Sequence, residues 1–462
     1  MADSRTYDLI VIGSGPGGYT AAIRGAQLGL KSAIVEVSSV GGRCLNEACI
    51  PAKAVLRVAD FWDEVGDAKQ FGVEITDPKL DWAGVAKRRD RVIKTMVGGV
   101  GGLLKRNGVD LFEGRGTLVD NTTIKIAGET ERTLSAAKVV LATGSVPLPI
   151  PGVEFGERVL DTAATWLGNI QPQRLAVIGA GASGVEVASA YARLGTEVVL
   201  LEALDRVLPT EDDEISAHVA RELGKQGIAV CTGVQIEHIE ATSGGVELRW
   251  SDASAVFDYL CIAAGRGADI EQLGLNAAGL RLNDAGKIEV DSRMRTACEN
   301  IYAIGDLTPG PALAHKASEE AVIAAEDAAG LETTPLEFAE IPKVTFCYPQ
   351  VASVGSTETE AMAELGTERI TVGRFPYSAI GAATVYGDRG GFIKLVADAG
   401  SGEILGAHIV GARAADLIAE LAVARRAEDT YESLARTIHA HPTLSEGVME
   451  AARDAAGWAI NG

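Results

Sequence analysis

The run Leu9-Ile10-Val11-Ile12 is apolar at every position and stops at Gly13, which predicts a short strand buried on both faces. After Gly13-Ser14-Gly15-Pro16-Gly17-Gly18 an alanine-rich stretch of helical character runs to Leu28. Ser32 to Glu36 then predicts a second buried strand, ending in an acid. Strand, glycine turn, helix and strand make one βαβ unit. The same order returns with Leu175-Ala176-Val177-Ile178, Gly179-Ala180-Gly181-Ala182-Ser183-Gly184, a helix to Leu194 and a strand from Glu197 to Leu201, followed by Glu202. Between the two units, Phe61 to Lys105 is charge-rich with helical spacing, and Val139 to Ser145 predicts a buried strand running into a glycine turn. Pro147, Pro149 and Pro151 cannot continue a helix or a central strand and read as a linker. Ile301 to Asp306 again runs from strand to turn, with a helix expected from about Ala314 to Ala329. From Lys343 the pattern changes to strand-like segments, Val351 to Val354, Phe392 to Val396 and Ile404 to Val410, followed by helices.

Gly13, Gly15 and Gly18 fit G-x-G-x-x-G, and so do Gly179, Gly181 and Gly184. Such glycines permit a tight turn, close approach of the backbone to a diphosphate, and close helix–strand packing, while an acid at the end of the next strand takes hydrogen bonds from a ribose. Glu36 and Glu202 hold that place in the two units. One match alone is weak; two complete units in one chain predict two dinucleotide pockets. A carboxylate at Glu202 suits a 2′-hydroxyl and repels a 2′-phosphate, so the second pocket is expected to take NAD rather than NADP. Arg206 nearby reads as an ordinary helix or loop residue. The expected fold is therefore α/β, with two Rossmann-like nucleotide-binding domains and a C-terminal α+β domain. The expected division is 1–147, 148–267, a central segment 268–336 that completes the first domain, and 337–462.

Composition narrows the partners. Forty-two basic and 63 acidic residues give a net charge of −21, a poor platform for nucleic acid or an acidic membrane. No uncharged stretch reaches membrane-spanning length and no secretory signal is evident, so a cytoplasmic protein is expected. Six cysteines are too few for a secreted disulfide framework. Cys231, Cys261, Cys298 and Cys347 read as small buried hydrophobes. No metal site is expected.

Cys44 and Cys49 differ, because they lie close together in Gly41-Gly42-Arg43-Cys44-Leu45-Asn46-Glu47-Ala48-Cys49-Ile50-Pro51-Ala52-Lys53, directly after the first acid. Five residues apart on one helical turn, they can be bridged if the turn is distorted, and Pro51 helps to keep the region irregular. This segment is similar to the redox-active disulfide motif of the flavin-dependent disulfide reductases, the class I pyridine nucleotide-disulfide oxidoreductases. The resemblance runs along nearly the whole chain and is strongest to members that reoxidise protein-bound dihydrolipoyl groups. It implies FAD in the first pocket and NAD in the second, with electrons passing from a dithiol through a Cys44–Cys49 disulfide and FAD to NAD. An NAD(P)H-dependent reductase of another disulfide substrate is the alternative within the same family.

The resemblance further places Gly116, Thr143, Gly144, Ser145 and Asp306 on FAD, and Lys53 near the flavin with Glu186 as its charge partner. Leu313, Ala314 and His315 would form a helix start facing the flavin ring, and Val234 and Gly265 would touch NAD. In His439-Ala440-His441-Pro442-Thr443-Leu444-Ser445-Glu446, His441 matches the family's catalytic base and Glu446 the carboxylate that orients it. His439 matches no catalytic position. The resemblance implies a homodimer joined through the C-terminal domain, His441 serving the partner's disulfide, and a lipoylated carrier protein as substrate. Some residues depart from the family pattern: Arg43 stands for a threonine, Glu47-Ala48 for Val-Gly, Ala52 for a serine, and Gly265-Arg266-Gly267-Ala268 lacks a second arginine and a proline. Arg43 and Glu47, at i,i+4, are expected to pair; alternatively the Arg43 charge lowers the pKa of Cys44.

Overall fold

The computed structural model describes residues 6–461; the first five residues and Gly462, which close the expected first and last domains, lie outside the described residues. The chain opens with β1 (Thr6–Ile12), α1 (Pro16–Gln27) and β2 (Ser32–Glu36), then two short-loop-linked helices, α2 (Gly42–Asn46) and α3 (Cys49–Asp67), and the long α4 (Trp82–Arg106). β3 (Asp110–Glu113), β4 (Arg115–Leu118), β5 (Thr123–Ala127) and β6 (Arg132–Leu141) follow. The strand expected only near Val139 is longer than its apolar core. Its first half pairs antiparallel with β5 through alternating residues, and its second half pairs parallel with β1.

β7 (Ser145–Pro147) leads into a second parallel sheet of β8 (Val159–Asp161), β9 (Arg174–Ile178), β10 (Glu197–Leu201) and β11 (Ala229–Cys231), with α5 (Thr162–Leu167), α6 (Ala182–Arg193) and α7 (Asp213–Lys225) between strands. An antiparallel meander, β12 (Ile236–Thr242), β13 (Gly245–Trp250) and β14 (Ala253–Phe257), precedes β15 (Tyr259–Ile262), giving the sheet order β11-β10-β9-β15-β8. β16 (Arg266–Ala268) then pairs antiparallel with β7. Pro147 is thus part of a two-stranded ribbon, possible because an edge strand does not need every N–H, while Pro149 and Pro151 lie beyond it in the connection. The chain returns to the first sheet with β17 (Ile301–Ala303) alongside β6, followed by α8 (Ala314–Ala328).

The final part is an antiparallel sheet of β18 (Lys343–Thr345), β19 (Val351–Gly355), β20 (Ile370–Pro376), β21 (Gly391–Asp398) and β22 (Ile404–Gly411), ordered β18-β19-β22-β21-β20. α9 (Glu358–Leu365) and α10 (Gly381–Tyr386) lie between its strands, and α11 (Ala414–Arg426), α12 (Tyr431–Arg436) and α13 (Glu446–Ala455) follow it. One buried cluster joins Ala52, Val55 and Ala59 of α3, Val185 and Val187 of α6, and Val351 and Val410 of the last sheet. α3 therefore carries the redox segment to the place where the second sheet and its helix α6 meet the last sheet. Among the described residues no helix is long and apolar enough to cross a membrane. Cys261 and Cys347 are buried, whereas Cys231 and Cys298 are only half-buried.

Candidate active site

The glycines of the two loops are required for different reasons. Gly13 and Gly179 have φ of +101° and +99°, and a Cβ there would meet Ala142 O at 2.3 Å and Ala263 O at 2.6 Å. A Cβ on Gly18 or Gly184 would strike the carbonyl of Gly13 at 1.9 Å or of Gly179 at 1.8 Å, so helix and turn can touch only without side chains. Gly15 and Gly181 differ from both. Their φ values of −62° and −71° suit any residue, and nothing of the chain lies within 4 Å of a Cβ built there. The fold leaves that space at each helix N-terminus open, where backbone N–H groups and the helix dipole attract an anion. The loops thus fit two dinucleotide diphosphates.

The first loop borders a cavity of ≈ 520 Å³. Gly13, Gly15, Gly18, Glu36, Cys44, Cys49, Lys53, Gly116, Thr143, Gly144, Ser145, Glu186, Asp306, Leu313 and Ala314 all line it. Sequence-distant segments make this wall, and the second unit contributes Glu186 from α6. Glu36 accepts from Ser14 N at 2.9 Å, Ser14 Oγ at 2.6 Å and Ser38 N at 2.8 Å, which fixes the carboxylate at the strand end. Asp306 accepts from Ser145 Oγ, whose oxygen in turn takes a hydrogen bond from Arg266 Nε at 2.8 Å. Arg266 and the carboxylate of Asp161 also line the cavity, yet neither stands out in the sequence. Only the β7–β16 pairing brings Arg266 to Ser145 across the intervening sheet. His315 departs from its expected place: its Nε2 bonds Pro342 O at 2.7 Å, and the ring is not part of the cavity wall.

The thiols do not share one helical turn. α2 ends at Asn46 and α3 begins at Cys49, with Ala48 between them at φ −124° and ψ −90°. That break brings the two side chains within hydrogen-bonding reach of each other. Pro51 does not disorder the region. It occupies the first turn of α3, where its missing N–H has no partner to lose. With both thiols free, the Cys44 S–H donates to Cys49 and lowers the Cys49 pKa to about 7, a shift that burial opposes and the Lys53 charge supports. Cys44 moves upward for the same reason, since losing its proton would break the bond and bury a second charge. Lys53 Nζ is held 3.0 and 2.9 Å from the two carboxylate oxygens of Glu186, which also accepts from Phe346 N at 2.9 Å.

Arg43 lies 3.8 Å from Glu47, the expected pair, and also 3.8 Å from Asp161, with a 3.3 Å bond to Thr162 Oγ1. It is not among the groups that act on Cys44, whose pKa rises rather than falls. Replacing Arg43 with Thr is therefore expected to leave the thiolate titration in place, whereas Lys53→Met moves the midpoint upward from about 7. Ultraviolet thiolate absorbance of the reduced protein against pH measures both. An unmoved midpoint in Lys53→Met contradicts the assignment.

At the second loop, Glu202 accepts from Ala180 N at 2.6 Å and Leu204 N at 2.9 Å, and Val234 N donates to Glu202 O at 3.1 Å. Gly265 has φ +141° with open space at its Cβ position, and its carbonyl accepts from Leu148 N at 3.2 Å. The sequence is right that Arg206 is ordinary: it pairs with Asp213 and Pro209 O. His441 and Glu446 stand apart from the cavity. His441 is 77% exposed, its Nδ1 lies 2.9 Å from Glu446 Oε1, and Glu446 Oε2 accepts from Thr443 N at 2.9 Å. Neither residue lines the wall that carries Cys44 and Cys49. Among the described residues no group of three or more His, Cys, Asp or Glu side chains could hold a metal ion.

Paired diphosphate loops, a thiol pair on the wall of one of them, and a separate antiparallel domain together define a nucleotide-linked disulfide enzyme. Residues 7–321 match the pyridine nucleotide-disulphide oxidoreductase family and residues 341–452 match that family's dimerisation domain, so the chain belongs to this family. It is 44% identical over 455 residues to a dihydrolipoyl dehydrogenase of Thermus scotoductus, covering 97% of each chain. Identity is 40% over 460 residues to the dihydrolipoyl dehydrogenase of Geobacillus stearothermophilus, covering 98% of this chain and 97% of the other. Among solved structures, LpdA from Mycobacterium tuberculosis superposes with a TM-score of 0.90 at 26% identity, covering 96% of this chain and 99% of that one. The HOCl-induced flavoprotein disulfide reductase RclA from Escherichia coli, as a Cu(II) complex, gives 0.88 at 27% identity, covering 97% and 99%. The protein is a flavoprotein disulfide oxidoreductase that uses FAD and NAD and forms a homodimer.

Proposed function

We propose that the protein reoxidises dihydrolipoyl groups carried by a lipoylated partner protein in the cytoplasm, using Cys44 and Cys49 as its disulfide and His441 with Glu446 as its base. The observation that carries this reading is the thiol pair on the wall of the first dinucleotide cavity, with Lys53 of the same wall held by Glu186. The full-length similarity to dihydrolipoyl dehydrogenases supports the choice of substrate.

Glu446 is an acceptor when ionised, so it holds a proton on His441 Nδ1 and leaves Nε2 to receive another. His441 Nε2 takes a proton from one substrate thiol, and the resulting thiolate attacks Cys44 Sγ of the oxidised bridge. The Cys44–Cys49 bond breaks, a substrate–Cys44 disulfide forms, and Cys49 leaves as a thiolate. Attack at Cys44 is favoured because the sulfur with the lower pKa departs faster. The second substrate thiol then displaces Cys44, which recovers a proton; the substrate is oxidised to its cyclic disulfide and the cysteine pair is reduced. Gly15, Gly116, Thr143, Ser145 and Asp306 would hold FAD in the first cavity, where it would supply two-electron chemistry between the cysteine pair and NAD at the Gly181 loop. Lys53, held by Glu186, keeps a positive charge beside the Cys49 sulfur throughout.

The deciding assay is steady-state oxidation of dihydrolipoamide by NAD, compared with reduction of glutathione disulfide by NADH and NADPH. Turnover of dihydrolipoamide is expected and glutathione reduction is not; the reverse result overturns the reading. NAD is expected to exceed NADP by at least tenfold in kcat/KM, about 1.4 kcal/mol of discrimination at Glu202. Glu202→Gln is expected to narrow that ratio, because it removes the charge that repels a 2′-phosphate.

A further inference from the structure

His439 matches no catalytic position in the sequence, yet it is the inward-facing side chain at the start of the segment that carries His441. Thr437 to Ser445 has no helix or strand and links α12 to α13. Apolar burial does not hold its start in place, since Ile438 is 96% exposed. The His439 side chain, by contrast, is only 6% exposed. Its Nδ1 lies 3.0 Å from Thr437 O, and its Nε2 lies 2.6 Å from Glu420 Oε1 on α11.

A carbonyl oxygen only accepts, so Nδ1 must carry a proton. A bond to Nε2 then needs one more proton, on either the ring or the carboxyl. Free imidazole holds a proton about two pH units more firmly than a free glutamic acid. Glu420 is 31% exposed, whereas the ring it meets is buried. The short distance is that of a charge-assisted bond. Glu446 on α13 is the other carboxylate acting on the ring, and it too favours the charged form; His441 is the neighbouring titratable group on the same segment.

Resting on the reading of His441 as the base, we propose that His439 is a fixed imidazolium, a positioning residue that ties the His441 segment to α11 by donating from both ring nitrogens. Loss of one ring proton leaves a neutral imidazole that can donate only once. Either the tie within the segment or the tie to α11 then fails. Because Glu420 raises the affinity of this ring for its proton, the tether is complete below the ordinary imidazole value and is lost as pH rises through the raised one. An upper pH limit on dithiol turnover thereby falls to a residue that touches neither substrate nor cofactor.

The test uses the FAD-loaded dimer. With histidines isotopically labelled, the wild-type protein is expected to give two slowly exchanging ring N–H signals that disappear together in His439→Gln. A single N–H signal overturns the proposal. In kinetics, His439→Gln is expected to lower kcat/KM for dihydrolipoamide about tenfold or more, as misplaced bases do. Its reduction of an artificial electron acceptor by NADH, which needs no thiol base, should stay within about twofold. Glu420→Gln keeps an acceptor but removes the charge, and is expected to move the alkaline limit to lower pH. An unmoved limit in Glu420→Gln overturns the proposal even if His439→Gln fails to fold. Absence of dihydrolipoamide turnover in the wild type would instead sink the proposed function, while the ring N–H count still decides the state of His439.

Discussion

Chains carrying Cys44→Ser or Cys49→Ser are expected to lose dihydrolipoamide oxidation by on the order of 10³-fold or more, because no bridge is left for the substrate thiolate to attack. Both should still fold and bind FAD, since neither sulfur supports the diphosphate loop or the buried cluster around α3. They should also reduce an artificial acceptor with NADH. The two variants part in their thiol chemistry. Cys44→Ser retains Cys49 beside Lys53, but a hydroxyl replaces the thiol that donates to it. Its thiolate should therefore persist near neutrality, though shifted. Cys49→Ser leaves only Cys44, which loses the anion that holds its proton, so its titration should fall from the strongly raised position it has in the pair. Alkylation rates against pH measure both. Turnover of dihydrolipoamide at wild-type rate by either variant would remove the disulfide from the mechanism.

His441→Gln is expected to lower kcat/KM for dihydrolipoamide by about 10²–10⁴-fold, the range for loss of a positioned base. The deficit should shrink above about pH 8.5, where a free thiol ionises without help. A second measurement concerns which chain the base serves. In one chain His441 is exposed and absent from the wall around Cys44 and Cys49, so the proposed mechanism calls for the base of a second copy. Co-expressed Cys44→Ser and His441→Gln chains should then form mixed dimers with one complete site each. In a symmetric dimer with random pairing, half the dimers are mixed, and activity should recover to about one quarter of wild type. A base acting within its own chain would give no recovery at all, because every site in the mixture would lack one of the two groups.

Other arginine and aspartate contacts illustrate what a linear reading misses. Ser145 and Arg266 are far apart in sequence, and no local pattern predicts that they bond; the ribbon of β7 and β16 makes them neighbours. Asp161 meets Arg43 because β8 ends beside α2. A distorted turn was expected between the two cysteines, but its place between Asn46 and Cys49 was not evident, since the segment has acceptable helix formers on both sides.

The chain by itself determined the βαβ units, the two glycine loops and their terminal acids, because these depend on local sterics. A turn with positive φ needs Gly13 and Gly179, and a helix packed on that turn needs Gly18 and Gly184, wherever the rest of the protein lies. It also set Cys44 and Cys49 apart as a close pair, whereas His441 and Glu446 were marked only by the resemblance to the family. Only the tertiary structure decided which thiol is the more acidic, since that depends first on the hydrogen bond that Cys44 donates to Cys49 across the break between α2 and α3, supported by the charge of Lys53, which Glu186 of α6 holds in place. Likewise, only the fold decided that His439 donates twice, because Glu420 reaches it from a separate helix. Electrostatic roles are set by distances through space, and those become defined when the sheets pack around α3.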